Sequence, residues 1–157
     1  MKKVAMTICL AALFVQGCNY IGVTGGHGGD FNATNFTIEY GSPSPEELEP
    51  EPGERDWMFT GGTLIIDNAI ESSYFETSPE IGGFIKLGME VAPDTGLFVN
   101  VLGGLTAIRW TSRRDEGTEW SGLFGGGVTY FVDDQAVGIL AGYDNRRGFT
   151  AGIGLRF

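Results

Sequence analysis

Gly148-Phe149-Thr150-Ala151-Gly152-Ile153-Gly154-Leu155-Arg156-Phe157 closes the chain, and its reading decides the fold. Phe149, Ala151, Ile153, Leu155 and Phe157 take every second position, with Gly148, Thr150, Gly152, Gly154 and Arg156 between them. Successive side chains of a strand point to opposite faces, so this segment is a strand with one wholly apolar side. Its other side is small or polar, as the lumen of a narrow barrel requires.

The same period of two continues upstream. Val137, Ile139, Ala141 and Tyr143 alternate with Gly138, Leu140, Gly142 and Asp144, and Asn145-Arg146-Arg147 makes the tight connection. Trp120 to Tyr130 alternates likewise and ends at the turn Asp133-Asp134. Leu97 to Trp110 is apolar on both faces. In residues 81–92, Gly83, Ile85, Leu87, Met89 and Val91 oppose Lys86 and Glu90, and Pro93-Asp94-Thr95-Gly96 is a turn by composition. The front half adds Ala33 to Tyr40, Trp57 to Ile66, and a short strand from Ala69 to Glu76. These make eight strands, the smallest number used by closed membrane barrels, with room inside only for side chains. The expected fold is all-β, an antiparallel up-and-down transmembrane β-barrel over residues 33–157.

A strand of this alternation that stops at Phe157 resembles the C-terminal assembly signal of outer-membrane barrels. Residues 33–157 are similar to the small eight-stranded members of that class, which includes the OmpA membrane domain and OmpX. The resemblance implies a periplasmic C-terminus, recognition of Phe157 by the barrel-assembly machinery, and contact with outer-membrane lipid and lipopolysaccharide. Counting back from Phe157 then puts Asp67-Asn68, Pro93 to Gly96 and Asp133-Asp134 on the periplasmic side. Residues 41–56, 77–80, 111–117 and 145–147 fall outside. All three tryptophans, Trp57, Trp110 and Trp120, are then expected at the outer boundary, where amphipathic rings favour the lipid–water interface.

The N-terminus reads as an export signal. Lys2 and Lys3 precede the apolar run Val4 to Val15, too short for a mature membrane helix, so residues 1–17 are assigned as a signal peptide. Cys18 follows Val15-Gln16-Gly17, which resembles the lipobox of bacterial lipoproteins and implies acylation of its thiol, each buried methylene contributing ~0.8 kcal/mol. Ordinary cleavage leaving a free thiol is the alternative. Residues 18–32, rich in glycine, are then a flexible tether. Removing Lys2 and Lys3 takes the formal charge from -10 to -12, which argues against nucleic acid as a partner. Glycine disfavours helix interiors by ~1 kcal/mol, and 26 of them exclude a helical bundle.

Little in the sequence points to chemistry, and no cofactor or metal is expected. His27, the only histidine, sits in the tether Gly25-Gly26-His27-Gly28-Gly29 and reads as a solvated linker residue. Glu46, Glu47, Glu49, Glu51, Glu54 and Asp56 form an acidic, proline-punctuated loop without the spacing of a calcium loop. Arg55, Arg109, Arg113, Arg114, Arg146 and Arg147 fall in or beside predicted outer loops, where guanidinium groups suit lipopolysaccharide phosphates. Of these, Arg109, Arg113, Arg114, Arg146 and Arg147 are the expected contacts. Lys86 and Arg156 point inward with Glu90 and Glu39, an expected lumen charge network.

The leading functional expectation is a non-enzymatic outer-membrane barrel, with a structural, adhesive or surface-binding role toward an unidentified extracellular partner. Two alternatives remain: a lipid A-modifying barrel enzyme, and a soluble ligand-binding β-barrel lipoprotein in the periplasm. The first needs a histidine with a serine and an acid near the membrane boundary, and no histidine falls within the expected barrel at 33–157.

Overall fold

In a computed structural model of the chain, the described residues are 20–28, 33–42, 54–69, 74–132 and 137–157. They form nine strands: β1 (Tyr20–Gly28), β2 (Ala33–Ser42), β3 (Trp57–Asp67), β4 (Phe75–Thr77), β5 (Glu80–Glu90), β6 (Leu97–Ser112), β7 (Glu116–Phe131), β8 (Val137–Asp144) and β9 (Gly148–Arg156). All pairings are antiparallel, and β1 pairs with both β2 and β9, so the sheet closes on itself. Eight strands make the barrel, and β4 pairs only with β6, outside it.

The alternation read from the sequence sets the two surfaces of the wall. Outward positions form an apolar belt: Phe59, Ile85, Val101, Phe124, Ile139 and Ile153 are all at least half exposed. Inward positions carry glycine, threonine and charged groups around two apolar clusters. Tyr20, Met58, Phe98, Phe131 and Leu140 fill one, with Ala33, Leu64, Ile66, Phe84 and Leu123 in the other. Large inward side chains lie over inward glycines. A Cβ at Gly62 would sit 2.5 Å from the Phe84 ring, and one at Gly154 would sit 2.6 Å from the Tyr20 ring. The glycine content follows from this packing, because a narrow lumen has room for a ring only where its neighbour has no side chain.

Three expectations are corrected. The glycine-rich tether is, over Tyr20–Gly28, the first barrel strand, with Ile21 and Val23 outward and Tyr20 and Thr24 buried. The strand expected from Ala69 to Glu76 is not in the barrel, since β3 pairs directly with β5 and only Phe75–Thr77 is extended, against the end of β6. The count of eight holds with one member exchanged. That exchange moves the connection between β2 and β3 to the rim carrying Tyr20 and Arg156, where Asp56 O accepts from Glu90 N at 2.9 Å. Asp67 and Asn68 move to the far rim, and Trp57, opposite Met89, moves to the terminal rim. Only Trp110 and Trp120 lie toward the far rim. The expected signal peptide at 1–17, Cys18 and the acidic run at 46–51 lie outside the described residues.

Candidate functional site

The inward parity of β2 and β5 brings Glu39 and Lys86 into the lumen, where they form an ion pair and are both about 95 % buried. Each charge is far from bulk water, so its cost of desolvation is offset only by the other. Nearer the terminal rim the chemistry is different. Glu90 does not pair with Arg156; its carboxylate accepts from Gly96 N at 2.7 Å and from Asp56 N at 3.3 Å, fastening the β5–β6 turn. Arg156 Nη2 lies 3.4 Å from Asp56 Oδ2, with its guanidinium over the Phe131 ring.

Arg146 and Arg147, expected at the outer surface, are buried in the lumen instead. The β8–β9 turn folds both side chains into the mouth of the barrel. Arg146 grips Glu80 across the lumen in a two-bond fork, Nε to Oε1 at 2.9 Å and Nη2 to Oε2 at 2.7 Å. Arg147 Nε lies 2.5 Å from Asp144 Oδ2, and its Nη1 donates to Thr37 Oγ1 at 2.7 Å. Asn35 Nδ2 donates to the Arg147 carbonyl oxygen at 2.9 Å, and Asn68 Nδ2 to Glu80 Oε2 at 2.9 Å. The physical reason is charge balance: Glu80 and Asp144 face inward, and a buried carboxylate without a cation is expensive. These two arginines are therefore closed to lipopolysaccharide.

Above the far rim the wall does not stop. Residues 108–112 of β6 run past the last β5 partner, Ala107 opposite Ile81, by five residues or about 16 Å. Residues 116–124 of β7 likewise run past the last β8 partner, Gly125 opposite Asp144. With β4 laid on β6 they make a projecting three-stranded flap. Phe75 stacks on Trp110 at 6.2 Å, and the Arg113 guanidinium lies 4.5 Å from the Tyr74 ring centre. Arg109 and Glu116 pair at 3.0 Å in solvent. Trp120 is 68 % exposed. On the outer edge of β7, Asn145 takes the place of a strand partner at Phe124 and Gly122. Residues 116–121 pair with no strand on that edge among the described residues.

Among solved structures, the chain is similar to Ail, the attachment invasion locus protein of Yersinia pestis. The TM-score is 0.54 and the identity 17 %, covering 89 % of this chain and 97 % of that one. The fold is that of the small eight-stranded outer-membrane barrels. The N-terminal β-barrel domain of Pseudomonas aeruginosa OprF also matches, at TM-score 0.47 and 15 % identity, covering 90 % of this chain and 100 % of that one. No protein-family model and no curated protein matches the chain.

The barrel places the remaining residues. His27, expected in a tether, is an exposed, outward-facing residue of β1 at the far rim, so the barrel does contain a histidine. Its cross-strand neighbours in the outward row are Thr34 and, one strand further, Asp67. A hydrolytic triad needs the imidazole between hydroxyl and acid. Here the hydroxyl stands in the middle, and His27 and Asp67 are two strand spacings, about 10 Å, apart. No group of three metal-ligating side chains occurs among the described residues. Arg109, Arg113 and Arg114 are exposed on the flap, and Phe157 is exposed beyond the end of β9.

Proposed function

We propose that the chain is a non-enzymatic outer-membrane barrel that holds a binding flap above the cell surface. The flap of β4, β6 and β7 carries this reading, because it projects from the rim opposite Tyr20 and Arg156 and concentrates exposed aromatics and arginines. Trp, Tyr and Arg are the side chains that dominate binding energy at interfaces. The β7 edge, unpaired at 116–121 among the described residues, adds main-chain donors and acceptors, which suit an extended segment of a partner protein. An uncovered apolar belt around all eight strands supports residence in a bilayer. Orientation follows from Phe157 as the assembly signal, with the terminal rim periplasmic, and Cys18 two residues before β1 as a lipid anchor in the inner leaflet. On the outer side, Arg109, Arg113 and Arg114 face the level of lipopolysaccharide phosphates.

Membrane fractionation with labelled palmitate tests this reading, comparing wild type with Cys18→Ala. Wild type is expected to carry label, and the variant to stay in the outer-membrane fraction through carbonate extraction. Release of the variant into the soluble periplasm overturns the barrel's place in the bilayer. In the same background, Thr118→Cys should react with a membrane-impermeant maleimide on intact cells; reaction only after lysis reverses the orientation. Arg113→Gln with Arg114→Gln should reduce lipopolysaccharide co-purification while leaving stability within ~0.5 kcal/mol.

A further inference from the structure

The free edge of β7 is closed at both ends by side chains that stand in for a strand. Below, Asn145 Oδ1 accepts from Phe124 N at 2.9 Å, Asn145 Nδ2 donates to Gly122 O at 3.0 Å, and Asn145 N donates to Phe124 O at 3.2 Å. Above, Asp115 Oδ1 accepts from Glu116 N at 2.9 Å. In an antiparallel ladder the main-chain groups of successive residues turn to alternate sides. Gly122 and Phe124 turn theirs to this edge, so Trp120 and Thr118 do as well. The opposite side of the flap agrees: Arg109 stands across from Thr118, yet its N donates to Ser78 Oγ and its O accepts from Ser78 N. Between the two stand-ins lies a slot, the N–H and C=O groups of Thr118 and Trp120, paired with no strand among the described residues. Thr118, Glu119 and Trp120 are all exposed. Glu116 is engaged by Arg109, whereas no ion pair holds Glu119 among the described residues.

We infer that this slot docks a short extended segment of a partner protein whose middle residue is Lys or Arg. The inference rests on the flap as the binding element and names what it binds. An incoming strand antiparallel to β7 continues the line of β8 and takes up the main-chain groups of Thr118 and Trp120. Its middle side chain then stands directly across from Glu119, on the same face. Opposite charges at directly opposed positions favour pairing, and like charges oppose it. The same acid disfavours a second copy of this chain, since edge-to-edge docking would add a second Glu119 to one ladder between chains of formal charge -10. The residues flanking the basic one lie beside Thr118 and Trp120, which suits β-branched side chains. Asn145 and Asp115 confine the docked segment to the stretch opposite residues 118–120.

The full chain, isotope-labelled in lipid nanodiscs free of lipopolysaccharide, is titrated with a disulfide-cyclised β-hairpin peptide presenting Val-Lys-Val on one edge, and separately with its Val-Glu-Val counterpart. Saturable shifts of the Thr118 and Trp120 amides are expected, the lysine peptide binding about fivefold more tightly than the glutamate one. Glu119→Lys, a change at an exposed position, should invert that order. Thr118→Pro should abolish binding of both peptides while the β8 and β9 amides stay in place, because the N–H it removes faces the edge and not β6. No shift of the two amides with either peptide, or an order of affinities unchanged by Glu119→Lys, overturns the slot. Shifts of the two amides that grow with protein concentration in the absence of peptide overturn it too, since the occupant is then a second copy. Shifts confined to Phe75 and Trp110 overturn the slot but leave the flap as a binding element. Nanodiscs expose both rims, so a reversed orientation in cells leaves binding at the slot intact, and the two readings fail separately.

Discussion

Removing Arg146 separates the two places this side chain could act. The structure puts it on Glu80, which is 1 % exposed and accepts from Arg146 on both carboxylate oxygens. Arg146→Ala leaves that carboxylate in the lumen with Asn68 Nδ2, at 2.9 Å, and the Thr106 hydroxyl as side-chain partners. Breaking a buried pair by removing one partner costs about 3–5 kcal/mol, and the surviving Asn68 bond places the expected loss near ~3 kcal/mol. That is roughly a hundredfold in the unfolding equilibrium. Arg109→Ala is the control, because its pair with Glu116 is solvent-exposed and such pairs contribute about 0.2–1 kcal/mol. The assay is urea unfolding of each variant in phospholipid vesicles free of lipopolysaccharide, followed by tryptophan fluorescence. If Arg146→Ala fails to fold, Arg146→Lys keeps the charge, loses the fork and should fall between. The double variant Arg146→Met with Glu80→Leu should recover to within ~1 kcal/mol of wild type. Arg146→Ala and Arg109→Ala with equal stabilities would falsify the interior placement.

Glu39→Leu alone should cost about 3–5 kcal/mol by stranding Lys86, whereas Glu39→Leu with Lys86→Met should be neutral or more stable; a double variant as poor as the single refutes the pairing. Gly62→Ala should cost about 1–3 kcal/mol because its Cβ would press on the Phe84 ring and lie 2.7 Å from the Ile38 carbonyl oxygen. Adding Phe84→Leu should restore part of that loss, as read from the temperature at which the unboiled gel band shifts.

The back half of the barrel is legible in sequence because its last two strands keep an apolar outward row at every second position, although Leu97 to Trp110 is apolar on both faces. The front half is not, since glycine signals both flexibility and crowding. Gly22, Gly26 and Gly28 read as a tether, yet they alternate with Ile21, Val23 and Gly25, and a Cβ at Gly22 would strike the buried ring of Tyr20. Attending to the period of two across the glycines would have recovered β1. The charge network was legible in part. Lys86 and Glu39 fall at inward parity within clear strands, but Glu80 lies one residue before the strand as read from sequence, and Asp144 stands at the very end of its strand, where parity alone does not call for a cation. Without those two carboxylates, Arg146 and Arg147 look like loop residues. The flap is invisible for a different reason: strand length past a neighbour depends on register between strands, which no single segment encodes.

The closing seam sets the order of events in time. Seven neighbouring strand pairs are joined by one connection each, but β1 and β9 bring Tyr20 against Arg156 and His27 against Phe149 across most of the chain. Loop-closure entropy makes such a distant pairing late and slow relative to hairpins. Until it forms, two raw edges face outward, and the lumen side of the sheet, with its glycines and paired charges, is open to solvent. The residues of β1 thus govern how long the half-made barrel lasts, a kinetic office quite apart from their share in the finished wall.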